Sequence, residues 1–464
     1  MPGLSAGVGV ATVTPPVGYV MHCLGLRREP SVGVHDDLRA KALVLEGEGG
    51  PLAVVSLDIV YIPRAVVEDI RRRVTALTGI CGERVMLACT HNHTTPDFPE
   101  NLGEETAQAQ GYDKYRPLFV ELVAGAVSQA YHRLQPARLG SAAGRLSGWT
   151  TNRRHPERAI DDTLGVIRVD REDGEPLACL VSWACHTLAV GGQYRLWTAD
   201  YPAYAAQVIE RAHPRATFMF LQGAHGDVLP FDWAFGKADS RVRATYENAR
   251  RLGYALGGEA LRLMQQIETS GDARLGVASV EARLPGRTLP WSLEEARAVL
   301  EETIAANPGW QSERWTEAMD HGNSALLAPG YYRVAHARSQ VSILASVPRE
   351  MPAQLQVFRL GEAAIAANPG ELFNSLGAQI KENSPFPHTL LATCANGSVG
   401  YIPARRDYED LEGLPLRELV DAVRYRYLYG VATAMVNPGA GELVVEATQE
   451  LLRGQRQEPL PPQQ

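Results

Sequence analysis

Leu52-Ala-Val-Val-Ser-Leu-Asp-Ile-Val60, the segment Ala65 to Leu77, and Val85-Met-Leu-Ala-Cys-Thr90 together decide the fold class. The first and third are apolar runs of strand length. The middle segment spaces Val66, Val67, Ile70, Val74 and Leu77 at helical intervals, which gives it one apolar stripe. Working outward, Gly7-Val-Gly-Val-Ala-Thr-Val13 alternates as a strand. Ala42-Leu-Val-Leu-Glu46 joins the 52–60 strand through the turn Gly47-Glu-Gly-Gly-Pro51, and Tyr115 to Leu134 reads as a helix. Strand–helix alternation of this kind is the signature of an α/β sheet, not of a bundle or a sandwich. The predicted fold is α/β, with a mixed-sheet core flanked by helices.

No sequence repeat and no internal linker is visible, so residues 1–453 are expected to form a single large domain and residues 454–464 a disordered tail. Residues 291–320 interrupt the strand rhythm with helical character, in Trp291-Ser-Leu-Glu-Glu-Ala-Arg297 and again from Glu313 to Met319. They read either as a packed excursion or as a cap whose Trp291, Trp310 and Trp315 wall a substrate cleft.

The chain has 464 residues, with 45 Lys+Arg against 53 Asp+Glu, a net charge of −8. With 45% hydrophobic and 21% charged residues it is an ordinary globular chain, and its mild acidity argues against a nucleic-acid or polybasic membrane partner. No apolar run approaches the roughly 20 residues of a spanning helix, so no stable membrane association is expected. The first residues lack a basic segment followed by an apolar one, and the six cysteines show no CxxC pair. A reduced, cytoplasmic setting is the expectation.

The chemistry-capable residues fall at the ends of apolar runs. Val85–Thr90 leads into His91-Asn92-His93, Leu177–Cys185 into His186, and Ala216–Leu221 into Gln-Gly-Ala-His225-Gly-Asp227. Ala363–Gly370 leads into Glu371, and Thr389–Cys394 runs on to Tyr401. In open α/β sheets ligands bind beyond the carboxyl ends of strands. His91 and His93 leave the same face of an extended chain, and two histidines with a carboxylate make a zinc set with an open position. Each residue also has a plainer explanation: His186 as a core histidine among Trp183, Ala184 and Leu188, Glu371 as a helix N-terminal charge, Tyr401 as a packed aromatic, and Asp227 as a turn cap. Singly these suffice. They do not explain the recurrence at strand ends.

These segments resemble the catalytic domain of the neutral/alkaline, non-lysosomal ceramidases. The resemblance is carried by Gly7–Pro16, Val34-His-Asp-Asp-Leu-Arg-Ala-Lys-Ala42, Thr90-His-Asn-His-Thr-Thr-Pro96, Asn152-Arg153, Trp183-Ala-Cys-His-Thr187, Gly226-Asp-Val-Leu-Pro230, Asn368-Pro-Gly-Glu371 and Gly400-Tyr-Ile-Pro403. It implies a zinc-dependent amidohydrolase in which His91, His186, Glu371 and Tyr401 match the zinc ligands. His93 matches the histidine that serves as general base, and Arg153 an arginine near the scissile amide. Zinc lowers the pKa of its water to about 7. His93 would take the water's proton and pass it to the leaving amine, and the oxyanion would be held with help from Arg153 or Tyr401.

Departures from the family narrow the substrate. Gly226-Asp-Val-Leu229-Pro230-Phe231 lacks the family's Ser and Asn, and Arg405-Arg-Asp-Tyr408-Glu-Asp-Leu-Glu-Gly413 only partly resembles its tyrosine-rich stretch. The chain also ends without the family's C-terminal immunoglobulin-like domain. A soluble N-acyl or small cyclic amide is therefore the expected partner. The competing functions are a zinc esterase or other C–O hydrolase, and a non-catalytic metal-binding homologue.

Overall fold

The structure, a computed structural model, describes residues 3–21, 30–96, 98, 111–191, 194–230, 245–307, 329–420 and 425–457. Eight strands form the larger sheet: β1 (Ser5–Thr12), β2 (Arg39–Glu46), β3 (Leu52–Leu57), β4 (Val85–Cys89), β5 (Gln135–Arg145), β6 (Thr163–Arg171), β7 (Pro176–Trp183) and β8 (Thr217–Gln222). They lie in the order β8-β7-β6-β5-β1-β2-β3-β4. A four-stranded sheet contains β9 (Leu275–Pro285), β10 (Glu350–Leu360), β11 (Ala363–Ala367) and β12 (His388–Ala392), in that order. The main helices are α1 (Arg64–Thr78), α2 (Tyr112–Tyr131), α3 (Asp200–Ala212), α4 (Tyr246–Met264), α5 (Leu293–Ala306), α6 (Pro329–Ser346), α7 (Asn374–Glu382), α8 (Tyr425–Ala432) and α9 (Ala440–Gln457). The expected mixed α/β architecture is what is observed.

Within both sheets neighbours are antiparallel except β3 with β4, β7 with β8 and β11 with β12. A parallel pair needs a crossover, and α1, α3 and α7 supply the three crossovers. One order of elements therefore occurs three times: β1-β2-β3-α1-β4-α2, β5-β6-β7-α3-β8-α4 and β9-β10-β11-α7-β12-α9. The last helix of each unit packs across its first strand, and a glycine on that strand permits the approach. A Cβ would stand 2.0 Å from Ala126 O at Gly9, 2.9 Å from Glu259 Oε1 at Gly144 and 1.9 Å from Gln455 Oε1 at Gly276. The sequence shows no repeat because strand order, not side chains, is what recurs.

The three parallel pairs are tied in a ring. Ser56 Oγ donates to Phe220 O (2.7 Å), Ser182 Oγ donates to Leu391 O (2.7 Å), and Asn396 Oδ1 accepts the Leu87 N–H (2.9 Å). Strands β3, β4, β7 and β11 are buried at every position, which is why they read as unbroken apolar runs. Val54, Met86, Leu180, Leu221, Ile365 and Leu390 form a common core between the two sheets. Each such side chain contributes about 1.5–3 kcal/mol on burial. Helices cover the outer faces.

The helical character expected from residue 291 is found, and one expectation, the start of the tail, needs correction. The 291–320 excursion is an insertion between β9 and β10, whose described part is α5 and then α6; residues 308–328, with Trp310, Trp315 and the Glu313–Met319 stretch, lie outside the described residues. The tail begins later than expected, because α9 continues to Gln457. Its end is held: Gln455 is buried and its carbonyl accepts from Arg359 Nη1 at 3.0 Å. Residues 458–464 lie outside the described residues.

Candidate metal centre

The strand ends of all three units converge on one place. Beyond β4 the Thr90 N–H turns back to Leu57 O (2.8 Å) and His91 takes φ 58°, a left-handed conformation that is costly for a residue with a side chain. The turn brings His91 Nδ1 to 3.0 Å from Val60 O. His186 follows β7, with Nδ1 2.9 Å from His225 O and 3.0 Å from Val228 O. His225 follows β8, with Nδ1 3.0 Å from Gly223 O. Glu371 opens a two-residue strand, Glu371–Leu372, which pairs in parallel with Tyr401–Ile402 and sets Glu371 opposite Tyr401. Gly226 makes this crossing possible, since a Cβ there would lie 2.4 Å from Glu371 O.

Backbone carbonyls can only accept, so each of these histidines carries its proton on Nδ1 and turns the Nε2 lone pair inward. Nε2 of His91, His186 and His225 and Oε2 of Glu371 are buried and have no hydrogen-bond partner among the described residues. The four residues offer ligand atoms that all lie within 4.8 Å of one another. Glu371 Oε2 is 3.3 Å from His91 Nε2, 3.3 Å from His186 Nε2 and 4.0 Å from His225 Nε2. An unsatisfied buried polar group costs about 1–3 kcal/mol. Four of them aimed at one point form a candidate donor set for a cation, and imidazole with carboxylate is a combination that suits zinc.

The electrostatics favour neutral, ligand-competent imidazoles at His186 and His225. Burial pushes His186 down to about 4 and His225 well below the usual histidine range, with neighbouring histidines adding to the effect. Burial alone would raise the Glu371 carboxyl, but His91 and His186 outweigh it and hold it well below the usual carboxylate range. The Nδ1–carbonyl bonds fix ring orientation in the way that outer partners orient metal-binding histidines.

The other residues expected from sequence stand around this group. His93 is half-buried beside it, its ring edge-on to His91 at 4.7 Å and 5.9 Å from His186. Arg153 is 8% exposed, and its guanidinium lies 5.3 Å from the Tyr401 ring and 5.2 Å from the Tyr429 ring. The Tyr401 ring lies 6.4 Å from that of His186, and burial, with the Glu371 charge, holds its phenol well above the usual range. Asp227 does not face the site: it ties Asn374 N–H (2.7 Å) to the Asn152 side chain (2.6 Å). Leu229, where the family has serine, is buried.

His225 was the residue sequence reasoning left unassigned. It occupies a strand end in Phe218-Met-Phe-Leu-Gln-Gly-Ala-His225, the same signal that marked His186, but it has no place in the ligand pattern implied by the resemblance. Tyr429 was also missed; only its clustering with Tyr425 and Tyr427 in sequence marks it.

Residues 4–231 match the family described as neutral/alkaline non-lysosomal ceramidase, N-terminal. The chain is 23% identical over 462 residues to the neutral ceramidase of Pseudomonas aeruginosa, an alignment spanning 88% of this chain and 68% of that protein. It is 26% identical over 462 residues to neutral ceramidase B of Dictyostelium discoideum, spanning 81% of this chain and 64% of that protein. The crystal structure of the Pseudomonas aeruginosa neutral ceramidase superposes with a TM-score of 0.71 at 20% identity, covering 98% of this chain and 74% of the other. That likeness establishes the common fold.

Proposed function

Through residues 4–231 the chain belongs to the neutral/alkaline non-lysosomal ceramidase family, and from that premise we propose that it is a zinc-dependent amidohydrolase. The observation that carries this reading is the convergence of four buried, unpartnered donor atoms from His91, His186, His225 and Glu371. These four residues would hold the ion. Zinc bound there would supply Lewis acidity and a strong oxygen nucleophile at neutral pH.

The remaining work belongs to the chain's own side chains. His93, beside the donor group yet outside it, receives a proton at its imidazole from the attacking water. It returns that proton to the leaving nitrogen, so the amine departs neutral. Arg153 and Tyr401 orient the scissile carbonyl and donate to its oxygen as negative charge develops. With His225 as a fourth donor, Tyr401 is free for this role, where the resemblance alone would make it a ligand. Tyr429 and Tyr401 flank the Arg153 guanidinium, keeping it aimed and limiting access of water.

The substrate in this reading is an N-acyl or cyclic amide small enough to approach past the Tyr401 and Tyr429 rings. The test is a panel of short N-acyl amides, cyclic amides, long-chain ceramide and the esters matching the short amides, assayed on the purified protein before and after chelation and zinc reloading. Amide cleavage that is lost on chelation and restored by zinc is expected. Cleavage that survives chelation, or cleavage of esters with no amide turned over, would refute it.

A further inference from the structure

A cavity lined by none of the metal-facing residues lies where residues 287–295 and Gln340 meet residues 411–419 and Ala432. It encloses about 410 Å³ and is lined by Arg287, Trp291 and Gln340 together with Leu414 and Leu416. Its polar groups are held in place and only partly used. Arg287 is anchored through its backbone N–H to Met435 O (2.8 Å), and its guanidinium lies 4.5 Å from the Tyr408 ring centre. Arg287 Nε and Nη1 are nevertheless buried with no hydrogen-bond partner among the described residues, and so is the indole N–H of Trp291. Gln340 is wholly buried and donates from Nε2 to Ala432 O (2.9 Å), which sets its amide; Oε1 is left without a partner among the described residues.

An arginine with two free N–H groups and a nearby indole N–H match the acceptor-only character of a carboxylate. Gln340 Oε1 asks in addition for a donor on the ligand. The leucines supply apolar wall, the composition of a small-molecule site with a few placed polar groups. Glu295, exposed and also lining the cavity, disfavours a second negative charge. We propose that this cavity binds a monocarboxylate with an apolar body and one O–H or N–H donor. The carboxylate is taken by Arg287 and Trp291, and the donor by Gln340. This inference is independent of the proposed hydrolase activity.

The probe is 2-hydroxy-4-methylpentanoate, which carries all three features and no cleavable amide, titrated calorimetrically into the full chain. Its neutral carboxamide serves as control. Saturable one-site binding is expected for the acid, with affinity for the carboxamide lower by about 10- to 100-fold, the usual worth of a charge-assisted hydrogen bond. Arg287→Met, which keeps the stem over Tyr408, should lose the same factor. Trp291→Phe, which removes the indole N–H and part of the ring wall, should lose several-fold for the acid and less for the carboxamide. His91→Ala should bind as the parent does. Unchanged affinity in Arg287→Met, or loss in His91→Ala with none in Arg287→Met, would overturn the proposal, the latter placing the acid at the metal centre.

Discussion

Asp227 joins two of the three structural units through one buried carboxylate. Its Oδ1 accepts the Asn374 N–H at 2.7 Å, and its Oδ2 accepts the Asn152 side-chain amide at 2.6 Å. Asn152 cannot flip to suit a changed partner, because its own Oδ1 already accepts Arg154 N–H (3.0 Å) and His155 N–H (2.9 Å). Asp227→Asn therefore sets an amide NH₂ against the Asn152 NH₂, or against the Asn374 N–H if the new amide rotates. One charge-assisted bond is lost and buried donors are left unmatched, at a cost of about 2–4 kcal/mol. The reciprocal pair Asn152→Asp with Asp227→Asn restores every donor–acceptor match with the same net charge, and should come within about 1 kcal/mol of the parent. Urea unfolding of the two single variants and the double variant measures this coupling. An Asp227→Asn protein within about 0.5 kcal/mol of the parent, or a double variant as unstable as the singles added together, would refute the reasoning.

Burial holds the Asp58 carboxyl up at about 6 against its usual 3.8, with Lys41 and the Arg39 N–H opposing. Between those pH values the folded state keeps a proton that the unfolded chain has lost. Stability should therefore fall as pH rises through that window, by about 3 kcal/mol at 1.36 kcal/mol per unit, and then level off. Asp58→Asn should remove that component, so equal slopes for parent and variant between pH 4 and 6 would count against it. His93→Ala should keep its metal but lose about 10²–10⁴ in kcat; loss of the metal as well would make His93 a ligand. In a substrate screen, short N-acyl or cyclic amides should exceed long-chain ceramide in kcat/KM. A reversed ranking would mean that a lipid amide gets past Tyr401 and Tyr429.

The strands and the site were legible in sequence for the same physical reason. Runs such as Leu52–Leu57 and Pro176–Trp183 are buried on both faces, so their apolarity is continuous. A histidine or glutamate at the end of such a run stands out against it. The threefold order of elements was not legible, because the glycines, turns and crossover lengths that build each unit differ. His225 was missed because ligand residues were chosen by matching a known pattern, and the pattern has no histidine there. The helical end of the tail was misjudged from composition, which cannot show that Arg359 reaches the Gln455 carbonyl.

Elemental analysis of the parent beside single alanine variants of His91, His186, His225 and Glu371, with Tyr401→Phe as the contrast, tests the metal centre most directly. About one zinc per chain is expected in the parent and in Tyr401→Phe, with most of it lost in each of the four alanine variants. Full zinc occupancy in His225→Ala together with its loss in Tyr401→Phe would contradict the three-histidine, one-glutamate centre.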